Sequence, residues 1–397
     1  MDITTEFAKV RFENPFVLAS APPTGDEDKI RRAFDEGWSG AVIKTLIHEP
    51  VQNLANRFAV QKTGRLVNGF FNLEQVSEKS TEEWLNIIRR LKEAYPEKRM
   101  IGSIMGEADR YDNWKTLALG CQQAGADLLE LNFSCPNGYP DKGKGAAIGQ
   151  DAQSCGQIVS WLKNDPDIHI RLVPKLTAAV TDITQTGKAV ADAGADGICA
   201  INTIPSFMGF DLKALKPKPN IAGYTTFGGY SGAGIKPIAL KSVSALLKSP
   251  GIPVMGSGGI SNGFDAAEFI LLGAPVVQIA TAVMLYGFKL IKALKKQLME
   301  FMQWHQFSHI DDFLGMGNEM ICSYESLEIN YKVKATVDDR HCIGCKICEI
   351  SCTDAGYGAI SMQDKLAVVD SEKCVGCSLC YNICPYHAIE MEEFPLK

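Results

Sequence analysis

Eight of the 13 cysteines fall between positions 342 and 384, in two runs of one form. The first is Cys342-x2-Cys345-x2-Cys348-x3-Cys352; the second is Cys374-x2-Cys377-x2-Cys380-x3-Cys384. Thiolates at this spacing on a tight loop converge on one iron–sulfur cube, and the fourth, on the following helix, reaches a second cube. Cys342, Cys345, Cys348 and Cys384 are therefore expected to hold one [4Fe–4S] cluster. Cys374, Cys377, Cys380 and Cys352 are expected to hold the other. Gly344 and Gly376 let the backbone curl inside each loop, and Ile343, Ile347, Val375 and Leu379 can wall the clusters from water. The halves look like an internal repeat, DRHCIGCKIC against SEKCVGCSLC, although Thr353 stands where the second run has Pro385. Zinc normally takes thiolates from paired CxxC units, and a disulfide framework belongs to small secreted chains. Such a module moves single electrons in a reducing compartment.

A second set of reactive residues is spread through the first 305 positions. Short apolar runs end one after another in a polar or glycine group: Ser20, Lys44-Thr45, Asn132 to Ser134, Lys175, Asn202-Thr203, Gly258-Gly259 and Thr281. Lys175 lies between apolar runs, which is unusual for a surface lysine. Gly258-Gly259, followed by a helix, and Ala280-Thr281 can offer backbone N–H groups to a phosphate.

The elements that must position these groups alternate. Strands are expected at 15–20, 39–44, 99–105, 127–132, 170–176, 196–202, 252–257 and 275–280. Helices are expected near 26–37, 81–95, 111–124, 151–164, 184–193, 236–248, 262–272 and 283–304. Eight βα units point to an α/β fold of the TIM (β/α)8 type, in which all strand ends meet at one face and the loops after the last two strands bind phosphate. The domain plan is a catalytic barrel over 1–305, a connecting segment over 306–335 with a short helix near 311–321, and a two-cluster domain over 336–397.

Composition sets bounds. The 397 residues are 46% hydrophobic and 22% charged, with a net charge of -6. No concentrated basic face is visible, which disfavours nucleic acid. No apolar run reaches about 18 residues, so no membrane span is expected. The start, MDITTEFAKV, has no basic stretch leading into an apolar one, and a cytoplasmic enzyme is expected.

The motifs ASAPPT (19–24), KT (44–45), FFNLE (70–74), ELNFSCPNG (130–138), PKLT (174–177), INT (201–203), GGYSG (228–232), GSGGI (256–260) and QIATA (278–282) carry a family resemblance. The barrel resembles the dihydroorotate dehydrogenase-like FMN enzymes. Within them it looks most like the dihydropyrimidine dehydrogenases whose bacterial catalytic subunit bears its own ferredoxin domain, and the match covers nearly the whole chain. Residues 336–394 resemble bacterial ferredoxins. The resemblance implies FMN contacts at Ala19, Ser20, Lys44, Thr45, Asn72, Asn132, Lys175, Asn202, Gly232, Ser257, Gly258, Gly259, Ala280 and Thr281. Lys44 and Lys175 would then face the negative charge that a flavin gains on reduction.

The resemblance further implies reduction of the 5,6 double bond of uracil or thymine. Cys135 matches the general acid/base, and an ordinary thiol pKa of about 8.5 suits that work. Asn72, Glu74, Asn132, Ser134, Asn202 and Thr203 match substrate contacts, since amides donate and accept while a carboxylate accepts from ring N–H. Cys121, Cys155, Cys199 and Cys322 read as small buried side chains. Segments 46–69 and 204–230 match the family only loosely. No dinucleotide fingerprint is present, so electrons are expected from an FAD and NAD(P)H-binding partner subunit or from a ferredoxin. A homodimer within a heterotetramer is expected. The alternatives are a dihydroorotate dehydrogenase, or an electron-transfer subunit with no organic substrate of its own.

Overall fold

A computed structural model describes residues 1–134 and 146–393. The chain divides into two compact units, Met1–Ile321 and Cys322–Lys397.

In the first unit eight parallel strands close into a barrel in chain order. They are β1 (Phe16–Leu18), β2 (Gly40–Val42), β3 (Arg99–Ile104), β4 (Leu128–Asn132), β5 (Leu172–Leu176), β6 (Ile198–Ala200), β7 (Val254–Ser257) and β8 (Val277–Ile279). Each expected apolar run supplies one of them. The helices are α1 (Glu27–Glu36), α2 (Thr81–Ala94), α3 (Tyr111–Gln123), α4 (Ala152–Lys163), α5 (Ile183–Asp192), α6 (Lys236–Lys248), α7 (Gly263–Leu272), α8 (Thr281–Tyr286) and α9 (Leu290–Trp304). Asp26, Ser80, Asp151, Asp182 and Asn262 accept first-turn backbone N–H groups that a helix start leaves open. Gly37 and Gly273 end α1 and α7 at φ of 108° and 111°, a left-handed cap that suits glycine.

Strand alternation decides what fills the barrel. Val17, Val42, Ile101, Leu128, Val173, Cys199, Met255 and Val276 form one buried layer with Phe7 and Phe12. Those two rings come from an N-terminal hairpin, Thr5–Phe7 against Val10–Phe12. Side chains two positions on share the same face. The next rung therefore carries Ala19, Lys44, Ser103, Glu130, Lys175, Ile201, Ser257 and Gln278. An apolar floor thus supports a largely polar rung. Outside the strands, Trp38, Trp84 and Trp114 are fully buried.

Two expectations are corrected. The last helix breaks at Gly287, whose φ is 78°, so 283–304 is two helices. The short helix near 311–321 is instead a pair of single 3-10 turns, Ile310–Asp312 and Asn318–Met320. Gly315 and Gly317 there donate to the carbonyls of Ile270 and Leu271, which diverts the backbone from a helical ladder, while Ile310 and Phe313 join the core. Segments 46–69 and 204–230, which match the family only loosely, contribute to a four-stranded antiparallel sheet in the order 204–206, 228–231, 66–72, 58–63. Its glycines allow close approach, since a Cβ at Gly229 would meet Thr203 Oγ1 at 2.2 Å. Among the described residues no helix is long and apolar enough to cross a membrane.

The second unit is a pseudo-symmetric pair of halves. β9 (Val333–Val337) pairs with β12 (Ile389–Glu393), and β10 (Ile360–Gln363) with β11 (Leu366–Val369). α10 (Ile347–Asp354) and α11 (Leu379–Ile383) follow the two cysteine loops. Gly344 and Gly376 sit at φ of 70° and 71°, and Lys346 and Ser378, two places on in each loop, at 65° and 60°. The internal repeat in sequence is thus a repeat in backbone conformation.

Candidate active site

A cavity opens at the strand ends of the barrel. Ala19 and Ser20 after β1, Lys44 and Thr45 after β2, Asn132 from β4 and Lys175 from β5 line it. Asn202 and Thr203 after β6, Ser257 to Gly259 from β7, and Ala280 and Thr281 after β8 complete the ring. The antiparallel sheet adds Phe58, Phe70, Asn72, Ser231 and the adjoining Gly232 and Glu74. Seventeen positions expected from the sequence to bind flavin or substrate are Ala19, Ser20, Lys44, Thr45, Asn72, Glu74, Asn132, Ser134, Lys175, Asn202, Thr203, Gly232, Ser257, Gly258, Gly259, Ala280 and Thr281; all but Ser134 line this one cavity. Cys135 lies outside the described residues.

One hydrogen-bonded chain ties the rim together. The Thr45 hydroxyl meets Ser20 Oγ at 3.2 Å and Ser103 Oγ at 2.9 Å, and accepts from the Asn132 amide at 3.0 Å. Asn132 Oδ1 accepts from the Ser134 backbone at 3.2 Å. Ser134 Oγ accepts from Asn202 Nδ2 at 2.9 Å, and Asn202 Oδ1 accepts from the Thr203 backbone at 2.8 Å. Ser134 is fully buried behind the cavity wall. It bridges the two asparagines, one at the end of β4 and one just after β6.

Glu74 is the charged centre of the sheet side. Its Oε1 lies 3.0 Å from Lys44 Nζ and its Oε2 lies 2.9 Å from Arg57 Nε. Burial alone would raise this carboxyl, but Lys44 and Arg57 more than offset it and hold the group below the usual carboxylate range. Asn72 Nδ2 donates to the Gly229 carbonyl at 3.2 Å, and its Oδ1 accepts from the Glu74 backbone. Arg57 was not expected from the sequence. Neither were Gln75, Gln278 and Glu130, three polar groups in or just under the cavity. The signal for the last two was legible: a glutamate and a glutamine each inside an apolar strand run are seldom surface residues.

The donor set fits a flavin phosphate. Among the described residues nothing outside the strand ladder accepts from the backbone N–H of Gly258 or Gly259. Their φ values are 121° and 82°, and a Cβ on Gly259 would lie 2.6 Å from the Lys236 backbone. Only glycine keeps this concave strip of amides against α6.

The cysteines gather as two sets. Cys342, Cys345, Cys348 and Cys384 line one apolar cavity with Ile343, Met362 and Ile389. Cys374, Cys377, Cys380 and Cys352 line another with Val375, Leu379 and Met391. Each takes its fourth cysteine from the opposite half; Ile347 lines neither. Among the described residues no three His, Cys, Asp or Glu side chains are placed to hold a single metal ion, whereas a cube keeps its thiolates further apart than one ion would. Of the remaining cysteines, Cys121, Cys155 and Cys199 are buried, but Cys322 is exposed where the two units divide, against expectation.

Residues 2–302 match the dihydroorotate dehydrogenase family. This chain belongs to that family. Residues 335–391 match the 4Fe-4S dicluster domain. As a dihydroorotate dehydrogenase family member with this appended domain, the chain is an oxidoreductase that carries a flavin in its barrel and iron–sulfur clusters in its second unit. The dihydropyrimidine dehydrogenase (NADP(+)), chloroplastic, of Arabidopsis thaliana is 38% identical over 340 residues, 82% of this chain and 79% of that protein. The NAD-dependent dihydropyrimidine dehydrogenase subunit PreA of Escherichia coli (strain K12) is 36% identical over 404 residues, 100% of this chain and 97% of that one. The catalytic subunit of dihydroorotate dehydrogenase B (NAD(+)) of Pyrococcus horikoshii is 38% identical over 308 residues, 78% of this chain and 95% of its own.

Proposed function

We propose that this chain reduces the 5,6 double bond of uracil or thymine, as the catalytic part of a dihydropyrimidine dehydrogenase. The observation that carries the reading is Glu74, held as a carboxylate at the cavity wall beside Asn72. A carboxylate accepts from a ring N–H, and Glu74 stays ionised for that task between Lys44 and Arg57. Uracil and thymine offer such ring N–H groups to that wall. The full-length likeness to a dihydropyrimidine dehydrogenase subunit supports the same reading; the dihydroorotate dehydrogenase relative matches over only 78% of this chain.

FMN is the flavin proposed, with its phosphate on Gly258, Gly259, Ala280 and Thr281. When bound, the flavin supplies hydride chemistry and the clusters supply single-electron transfer. The residues of the chain do the rest. Asn72, Asn132, Asn202 and Thr203 orient the pyrimidine, and Cys135 exchanges the proton at C5. Cys342, Cys345, Cys348 and Cys384 ligate one cluster, and Cys374, Cys377, Cys380 and Cys352 the other. Electrons come from a partner subunit carrying FAD and an NAD(P)H site, in an assembly built on a homodimer.

The test is to reduce the anaerobic chain with dithionite and mix it with uracil, thymine or orotate while following flavin reoxidation by stopped flow. Fast reoxidation by uracil or thymine, slowed by orders of magnitude in Cys135→Ala, is expected. Reoxidation by neither pyrimidine sinks the substrate assignment.

A further inference from the structure

The polar rung inside the barrel holds a buried group in which Lys175 is joined by Glu130 and Gln278, two side chains to which the proposed chemistry gives no role. Lys175 Nζ donates to Gln278 Oε1 at 2.7 Å. Gln278 Nε2 donates to Glu130 Oε2 at 2.7 Å and also contacts Met255 Sδ at 3.2 Å. Glu130 Oε1 stands 3.6 Å from Lys175 Nζ, outside good hydrogen-bond reach, and 3.5 Å from Ser103 Oγ. Lys175, Gln278 and Glu130 come from β5, β8 and β4, and none is more than 5% exposed.

The chemistry of the groups orients them. An ammonium has no acceptor, so the Gln278 face toward Lys175 must be its oxygen. Its nitrogen must then face Glu130. Lys175 has three donors. One goes to Gln278, one faces Glu130, and one is left for the cavity that Lys175 and Gln278 both line. Glu130 itself does not line that cavity; it lies behind them.

We propose that Glu130, acting through Gln278, is a positioning residue that holds Lys175 as a cation and aims it at the flavin. This rests on the reading of the cavity as the flavin site. The physical need is plain. A lysine this deep in a protein tends to shed its proton unless a counter-charge is near. Burial pushes Lys175 down, and the Glu130 carboxylate beside it more than offsets that. The other titratable group facing it is Cys199 on β6, a thiol that burial keeps protonated. The result is a fixed dipole, positive end toward the cavity, negative end toward the barrel floor. Such a dipole needs no reorganisation when charge develops on the ring it faces.

The test uses the full chain with its cofactors. The midpoint potential of the bound flavin is measured against pH for the wild type, Glu130→Gln, and Glu130→Gln with Lys175→Met. The wild-type curve, which carries the ionisations of the flavin and of neighbours such as Cys135 and Glu74, is the reference. Glu130→Gln is expected to add one break in the neutral to mildly alkaline range, as Lys175 loses its proton there, and the double variant should lack it. A Glu130→Gln curve parallel to the wild type overturns the inference. Flavin absorbance separates the two ideas: a wild-type chain that binds no flavin refutes the cofactor site itself. Thermal unfolding of the same variants with Lys175→Met alone gives a second readout that needs no flavin, and survives poor folding of one variant. Removing one member of a buried pair should cost more than removing both. Strictly additive losses overturn the inference.

Discussion

At the scale of single residues the cavity is a set of charges and amides whose states are held by neighbours. Glu74 shows this most directly. Two cations hold its carboxyl down, so it stays ionised through the neutral range. Arg57→Ala removes one of them. The Glu74 carboxyl then titrates at higher pH, and the acid limb of the kcat/KM profile moves upward with it. Lys44 remains, so the shift is partial. The Arg57 side chain is 32% exposed, so solvent screens its pairing, and the expected rise in KM for a pyrimidine is severalfold, on the order of 1 kcal/mol. A profile superimposable on the wild type refutes the clamp. Most of these residues were visible in sequence because each ends a strand run. Arg57 was not, because nothing near it in sequence shows that a hairpin will carry it back to position 74.

At the scale of elements the cysteine loops are the most constrained. A Cβ on Gly376 would lie 2.2 Å from the Val333 carbonyl, at a φ of 71°. Gly376→Ala must therefore move backbone in a strand pair. The expected outcome is loss of the cluster on that half and about half the bound iron, read by iron analysis and electron paramagnetic resonance. Gly356→Ala is the control. Its φ is 87°, but nothing stands within 4 Å, so it bears only conformational strain of about 1–2 kcal/mol and should keep both clusters. Equal iron in the two variants contradicts the steric argument. The loop glycines could be read from spacing alone. The antiparallel sheet over 58–72 and 204–231 could not, since its central strand, Gly228–Ser231, is the GGYS stretch, which reads as a turn until its partners are known.

At the scale of the molecule the two units differ in what holds them. The barrel unit has a large continuous apolar core. Among the described residues, the packed buried cluster of the second unit is Ala335, Cys348, Ile360, Ala367, Cys380 and Ile389. Two of those six are proposed cluster ligands, and four more cysteines pack at its edge. Small domains with thin cores depend on staples such as metals. Anaerobic iron removal is therefore expected to unfold the second unit and leave the barrel unit folded. Far-UV circular dichroism should show a partial loss before heating, followed by one remaining cooperative transition. An iron-free chain with an unchanged spectrum contradicts this.

What the sequence determined by itself was whatever depends on local spacing. Eight apolar runs at βα intervals fit a barrel or a doubly wound sheet, the polar group at each run's end points to the barrel, period-2 alternation sends every second side chain inward, and two Cys-x2-Cys-x2-Cys-x3-Cys runs dictate two cluster loops. What only the tertiary structure decided was which distant groups share a counter-charge. Arg57 meets Glu74 across a hairpin, Lys175 meets Glu130 through Gln278 from a strand 103 positions away, and Ser134 joins asparagines at the ends of two strands. The reason is physical. Backbone hydrogen bonding and burial act on neighbours in the chain, so their pattern is written locally. Charges act through space, and barrel closure alone sets which of them come within reach.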